Sequence, residues 1–129
     1  GLAAVQIGIL KRILVIDVST KDEKRKPLSF INPVIKKVST ETSVYEEGCL
    51  SIPDTFIEIE RPKICEVEYI DINGEKKILK CDGLLSTCLQ HEINHLDGKL
   101  IIDHLSKLKR DIIIKKISKT KKNPDRILV

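Results

Sequence analysis

The residues with the clearest chemical potential are His91, Glu92 and His95, which form an H-E-x-x-H pattern. In a helix of 3.6 residues per turn, side chains four positions apart lie on one face. Two imidazoles at this spacing can both reach one metal ion at ~2.0–2.1 Å. Glu92 lies beside them and can reach a water at the ion without being a ligand. The spacing therefore predicts a metal site on a helix, with a carboxylate available for proton transfer.

A metal site that keeps an open position needs a third protein ligand. Cys88 shares the helical face of the histidines, but it is seven residues from His95, roughly 10 Å along the axis, so we expect it to be a packed neighbour. His104 and Asp97 follow the predicted helix and are alternatives. Cys49 directly follows a glycine and lies outside any regular apolar pattern. A thiolate with two imidazoles suits Fe²⁺, Zn²⁺ or Ni²⁺.

The element that must position the histidines is a helix. Its predicted N-cap is Asp82, its body runs from Leu84 to about Asp97, and Gly98 ends it. Its opposite face is apolar and carries Leu85, Leu89, Ile93 and Leu96. We therefore expect one face to pack in a core and the other to face a polar site.

Apolar and alternating segments predict strands at residues 11–18, 28–38, 56–61, 64–70 and 76–81. Pro33 cannot donate to a strand ladder, so the second segment is predicted to be an edge strand or to carry a kink. Asn73-Gly74 predicts a two-residue hairpin turn, which would make Cys65 and Cys81 core residues. Residues 99–103 are predicted to be a short apolar link or strand. A second helix is predicted from about Leu105, with Leu108, Ile112 and Ile113 at helical spacing.

Composition excludes several classes of protein. The chain has 129 residues, with 41% hydrophobic and 33% charged residues, which is too apolar for disorder and too charged for a membrane protein. No secretion signal is expected, and its four cysteines are expected to be reduced thiols. Because Met is absent even at position 1, we expect a processed chain or a fragment that lacks its natural N-terminus.

Charge is distributed unevenly. Residues 105–129 hold nine basic and two acidic residues, whereas the chain as a whole has a net charge of +4. This predicts an appended interaction element rather than a globally basic nucleic-acid binder. Strands followed by helices indicate an α+β fold, with antiparallel strands around a central metal-binding helix and a C-terminal helix. We expect residues 1–104 to form the catalytic metal-binding domain and residues 105–129 a basic helix and tail.

Three segments resemble the three signature motifs of the peptide deformylase family: Gly-Leu-Ala-Ala-Val-Gln at residues 1–6, Glu-Gly-Cys-Leu-Ser at 47–51 and Gln-His-Glu-Ile-Asn-His at 90–95. Their order and separation also fit that family. Val5 and Asn94 depart from it, since the family often has Pro and Asp there. The start of its first motif, and the helix and loop before it, have no counterpart in this sequence.

The resemblance implies an amidohydrolase that removes the N-formyl group of formyl-methionine and releases formate. Cys49, His91 and His95 would hold one divalent metal, typically Fe²⁺, with Zn²⁺, Ni²⁺ or Co²⁺ as substitutes. Glu92 would be the general acid and base, while Gln6 and the backbone N–H of Leu50 would face the oxyanion. The implied substrate-binding residues are Gly48, Gly1 and Leu2 along the peptide backbone, and Tyr45, Glu47, Leu84, Cys88 and His91 around the methionine side chain.

The implied partners are nascent N-formylmethionyl peptides, with the basic C-terminal segment offering a contact to the ribosome. No membrane partner is expected, and the protein would be a monomer in the cytoplasm of a bacterium or an organelle of bacterial origin. One alternative is a non-catalytic or weakly active deformylase-like protein. Another is a zincin-type peptidase, which would use His104 and leave the Glu-Gly-Cys-Leu-Ser segment without a purpose.

Overall fold

The computed structural model describes residues 1–49 and 52–121. Its strands are β1 (Leu2–Ala3), β2 (Ile13–Ile16), β3 (Leu28–Val38), β4 (Thr42–Cys49), β5 (Ile52–Pro62), β6 (Ile64–Ile70) and β7 (Lys76–Asp82). Its α-helices are α1 (Gly83–Leu96) and α2 (Lys107–Lys121), and two 3₁₀ helices span Ala4–Ile7 and Ile101–His104. This mixture of strands and helices confirms the predicted α+β class. None of the helices found in the described ranges is long and apolar enough to span a membrane.

The chain forms two compact units, each made of two segments. The first unit consists of Gly1–Ser43 and Glu60–Lys99, and the second consists of Val44–Ile59 and Leu100–Val129. The first unit contains a five-stranded antiparallel sheet in the order β1-β2-β3-β6-β7. Strands β4 and β5 form a separate two-stranded sheet. The division at residue 104 that the sequence suggests stays a prediction.

The core of the first unit lies between α1 and the large sheet. Leu89 and Ile93 of α1 are buried with sheet residues such as Phe30 and Val67, and Leu85 and Leu96 pack against them. The predicted apolar face of this helix is therefore confirmed. Cys65 and Cys81 are register partners on β6 and β7 and are buried in the same cluster, as predicted: their Sγ atoms lie 3.2 Å apart.

Strand β3 is interior to the sheet, because it pairs with both β2 and β6. Of the two predictions made from Pro33, the edge strand is wrong and the kink is correct. The register with β6 shifts between Ile31 and Val34, and Asn32 has a φ of 49°. The shift lies where Pro33 cannot donate a ladder hydrogen bond.

The β6–β7 hairpin has a longer turn than the predicted two residues. The Asp71 N–H donates to the Glu75 carbonyl at 2.9 Å, and the Gly74 N–H donates to the Asp71 carbonyl at 3.0 Å. The loop is thus three residues long, with Gly74 at a φ of 82°. Three-residue loops commonly combine a turn with a left-handed residue, which favours glycine.

The second unit has its own apolar cluster, made of Ile52, Ile57, Ile59, Ile101 and Ile102. Ile113 and Ile117 of α2 pack against it, whereas Leu108 and Ile112 are exposed. The predicted helical spacing is confirmed, but of the residues named for it in α2 only Ile113 packs against this cluster. Residues 101–104 form a 3₁₀ helix rather than a strand, and α2 begins at Lys107, two residues later than predicted.

Candidate metal centre

Helix α1 presents its two histidines from consecutive turns on one side. Asp82 occupies the N-cap position, as predicted, but its side chain makes no capping hydrogen bond. The helix ends at Leu96, and the Asp97 N–H closes its last turn on the carbonyls of Ile93 and Asn94. Residues 90–92 and His95 are all buried, so α1 carries polar side chains into the interior, with both histidines on the face opposite Leu89.

The imidazoles of His91 and His95 face one another. Their Nε2 atoms are 2.9 Å apart, and the ring planes are inclined at 77°. Both side chains are almost completely buried, with relative exposures of 7% and 4%. Two imidazole nitrogens this close together can both bind one metal ion after a small adjustment of the rings.

Cys49 supplies a third donor. Its Sγ and one ring nitrogen of each histidine all lie within 4.8 Å of one another. Donors that bind one ion at ~2.0–2.3 Å are at most about 4.5 Å apart, so small side-chain movements suffice to bring the three onto a single ion. The donor set of one thiolate and two imidazoles also fits a divalent transition metal. In the described part of the chain, His104, Asp97 and Cys88 do not join this group.

Glu92 lies beside the histidines without belonging to the group of ligand atoms. Its Oε1 is 4.0 Å from His91 Nε2, and the residue is 4% exposed. The Gly1 backbone approaches it so closely that a Cβ on Gly1 would lie 3.0 Å from both Cγ and Oε1 of Glu92. The first residue of the chain therefore lies against the carboxylate, and a glycine leaves the carboxylate room.

Gln6 is oriented by a local hydrogen bond. The Ala3 N–H donates to its Oε1 at 2.8 Å. Since a backbone N–H requires an acceptor, the carbonyl end of the amide is fixed there, and the NH₂ group of Gln6 points elsewhere as a donor. Both β1 and the 3₁₀ helix that carries Gln6 contact α1.

The remaining predicted site residues lie on two elements. Leu84 and Cys88 share the α1 face of His91, and they are exposed and half-buried, respectively. On β4, Glu47 is buried, Tyr45 is half-buried and Gly48 is exposed. Leu2 is exposed on β1, and Leu50 lies outside the described residues. Their roles toward a substrate stay predictions.

Sequence reasoning missed Arg61 as a residue of this region. It is 5% exposed, and its Nη1 donates to Asn94 Oδ1 at 2.6 Å. The signal was present in β5, where Ile57, Ile59 and Arg61 alternate and are all buried. A charged residue that continues an apolar alternation is directed inward and needs a polar partner there.

Comparison with known proteins identifies the family. A model of the polypeptide deformylase family matches residues 1–111. The chain belongs to the polypeptide deformylase family. This confirms the resemblance seen in the three motifs and favours deformylase activity over the peptidase and the non-catalytic alternatives. The deformylase is accordingly a metal-dependent hydrolase that removes N-formyl groups.

Individual relatives agree with this assignment. The chain is 62% identical over 129 residues to a peptide deformylase of Pelagibacter ubique (strain HTCC1062), covering 100% of this chain and 74% of that protein. It is 56% identical over 122 residues to a peptide deformylase of Rhizobium meliloti (strain 1021), covering 95% of this chain and 70% of that protein. A crystal structure of peptide deformylase from Ehrlichia chaffeensis superposes with a TM-score of 0.87 at 45% identity, and the match covers 94% of this chain and 73% of that chain. A crystal structure of peptide deformylase from the same organism in complex with actinonin superposes with a TM-score of 0.86 at 46% identity. The match covers 92% of this chain and 72% of that chain.

Proposed function

We propose that this deformylase hydrolyses the formyl group of nascent peptides that begin with formyl-methionine, using Fe²⁺ held by Cys49, His91 and His95. The observation that carries this assignment is the convergence of one thiol and two imidazoles within 4.8 Å. Bound there, a divalent ion polarises a carbonyl group and lowers the pKa of water toward neutrality. Both effects are needed because a formamide is a stable amide.

Glu92 is the proposed general base and acid. Its Oε1 is near the imidazoles, so its carboxylate can take a proton from the attacking water and pass one to the leaving amine nitrogen. Burial keeps bulk water away from this carboxylate. Because Oε1 is 4.0 Å from His91 Nε2, Glu92 can act on a water in this space without replacing a ligand.

Gln6 is the proposed oxyanion donor. Its carbonyl accepts from the Ala3 N–H, so its amide nitrogen is the group that would donate to the carbonyl oxygen of the substrate. A single donor of this kind contributes ~2.7–4 kcal/mol in a studied hydrolase. The second proposed donor is the backbone N–H of Leu50, which follows Cys49 in the Glu-Gly-Cys-Leu-Ser motif.

The substrate-binding residues are proposed from their places along the chain. Leu84, Cys88 and His91 occupy one face of α1, which suits a wall of the methionine pocket, and Tyr45 and Glu47 would complete it. Gly1, Leu2 and Gly48 would pair with the peptide backbone. Cys88→Trp should then raise KM for formyl-methionyl peptides by at least tenfold, while metal content stays unchanged.

The experiment that tests the proposed function combines metal analysis with formate release. We expect protein purified without oxygen to hold about one Fe²⁺ per chain and to release formate from a formyl-methionyl tripeptide. Air should abolish this activity through oxidation of iron or sulfur, and where only the iron is oxidised, its replacement by Ni²⁺ or Co²⁺ should restore the activity. Formate release that continues after complete chelation of the metal would contradict the proposal.

We also propose that α2 contacts ribosomal RNA. Lys115, Lys116 and Lys119 are exposed, whereas Ile113 and Ile117 pack inward. Binding through these lysines should weaken steeply with salt. Changing all three to Glu should reduce co-sedimentation with ribosomes at low salt without changing kcat/KM on a tripeptide, and equal co-sedimentation would contradict the contact.

The last proposals concern assembly and compartment. The deformylase is proposed to be a monomer in the cytoplasm of a bacterium or an organelle of bacterial origin, with residues 1–104 as its catalytic domain and residues 105–129 as an appended element. Sedimentation equilibrium tests the first point, since a mass near 14.6 kDa is expected for this chain. A concentration-dependent mass near twice that value would contradict it.

A further inference from the structure

Two side-chain hydrogen bonds join α1 to the end of β5. Arg61 Nη1 donates to Asn94 Oδ1 at 2.6 Å, and Gln90 Nε2 donates to the Pro62 carbonyl at 2.9 Å. The two β5 residues are consecutive, and the two α1 residues are one helical turn apart. The same short stretch of strand therefore contacts α1 at two successive turns.

The positions of these contacts on α1 coincide with those of the metal-binding pair. Gln90 directly precedes His91, and Asn94 directly precedes His95. Each contact thus fixes the turn that carries one histidine. A helix held at two points one turn apart cannot rotate about its axis or slide along it without breaking at least one of the bonds.

Both contacts are in places where they are strong and well defined. Arg61 is buried, so water does not compete for its guanidinium, and a hydrogen bond from a charged donor is stronger than a neutral one. Gln90 is also buried, and its Nε2 additionally donates to Ser86 Oγ at 3.0 Å. With both hydrogens of its amide in use, the Gln90 side chain has one defined orientation.

We propose that Arg61, Gln90 and Asn94 are positioning residues that hold α1 at the rotation in which His91 and His95 bring their Nε2 atoms together, 2.9 Å apart. This rests on the proposed ligation by the two histidines. Asn94 stands where the family often has Asp, so in this chain the Arg61 contact uses a neutral amide oxygen. A carboxylate at position 94 offers the same acceptor and is expected to substitute for it.

Co²⁺ binding to the full chain tests the proposal. Affinity is measured by competition with a chelator, and ligand geometry by the visible absorption of the Co²⁺ form. Asn94→Ala and Gln90→Met should each weaken Co²⁺ binding by 10-fold or more, as is typical when groups around metal ligands are removed, and should change the absorption bands. Asn94→Asp should stay within threefold of the parent chain.

Arg12→Gln is the matched control. Arg12 donates to Asp97 Oδ1 at 2.9 Å, directly after the end of α1 and beyond the histidines, where both side chains are exposed. This variant should keep Co²⁺ affinity within twofold and leave the spectrum unchanged. A role confined to stability would lower the Tm of the variants while leaving affinity and spectrum intact.

The outcomes separate the two proposals. If Asn94→Ala and Gln90→Met bind Co²⁺ within twofold of the parent chain, the positioning role is wrong while the ligation stands. If His91→Ala binds as tightly as the parent chain, the ligation itself is wrong, and the positioning role fails with it. Should both variants fail to fold, Arg61→Lys decides: affinity and absorption bands like those of the parent chain would overturn the proposal, and weakened binding would support it.

Discussion

Replacing Glu92 by Gln should stop catalysis without emptying the metal site. The amide keeps the length and planar shape of the side chain, so it fits the same buried space beside Gly1. It removes the group that takes the proton from water. Neither Oε atom belongs to the group formed by Cys49, His91 and His95, so about one metal ion per chain should remain.

The expected magnitude follows from the burial of Glu92. Loss of a general base typically lowers turnover by about 10²–10⁴-fold, which corresponds to about 2.7–5.4 kcal/mol of activation free energy. With 4% of the residue exposed, bases in the buffer cannot replace the carboxylate. We therefore expect the upper half of that range, about 10³–10⁴-fold in kcat. The thermal stability should not fall, because a neutral amide is less costly to bury than a carboxylate.

The assay is formate release by metal-loaded protein, with metal content measured on the same sample. Asp97→Asn is the control, since it makes the same chemical change at an exposed position at the end of the same helix. It should retain kcat within twofold. If Glu92→Gln holds a full complement of metal and turns over at the parental rate, Glu92 is not the base.

Three further results are expected. Cys49→Ala should lower metal content to near zero whereas Cys88→Ala should retain it, and the reverse pattern in metal analysis would refute the ligand assignment. Leu89→Ala, at a core position with 0% exposure, should lower the free energy of unfolding in urea by ~2.7–5.0 kcal/mol; a loss below ~1 kcal/mol would contradict the described core. Lys77 Nζ and backbone N–H groups donate to Asp71 and lower the pKa of its carboxyl below 3.8. Its stabilisation is therefore present above that pH and is lost as pH falls through the lower folded value. Asp71→Asn should therefore reduce Tm more at pH 6 than at pH 2, and an equal loss at both would contradict this linkage.

The sequence by itself determined the features that depend on neighbouring residues. Helical periodicity accounts for the i, i+4 histidines and for the apolar stripe through Leu89. The preference for glycine after a helix accounts for the helix end before Gly98, and α1 lies where these signals predict. The β6–β7 hairpin likewise follows from alternation around Asn73-Gly74. These patterns are local because 3.6- and 2-residue periods fix which face of an element is buried.

Only the tertiary structure decided which distant segments meet. Spacing left Cys49, His104 and Asp97 open as third ligands. Within the described residues, the structure brings only Cys49 of these three to the histidines. The pattern of β3 did not tell an edge strand from an interior one, because its hydrogen-bonding partners are far away in the chain. Arg61 is the clearest case: its alternation with Ile57 and Ile59 indicates an inward side chain, but only the structure shows that Asn94 accepts its hydrogen bond.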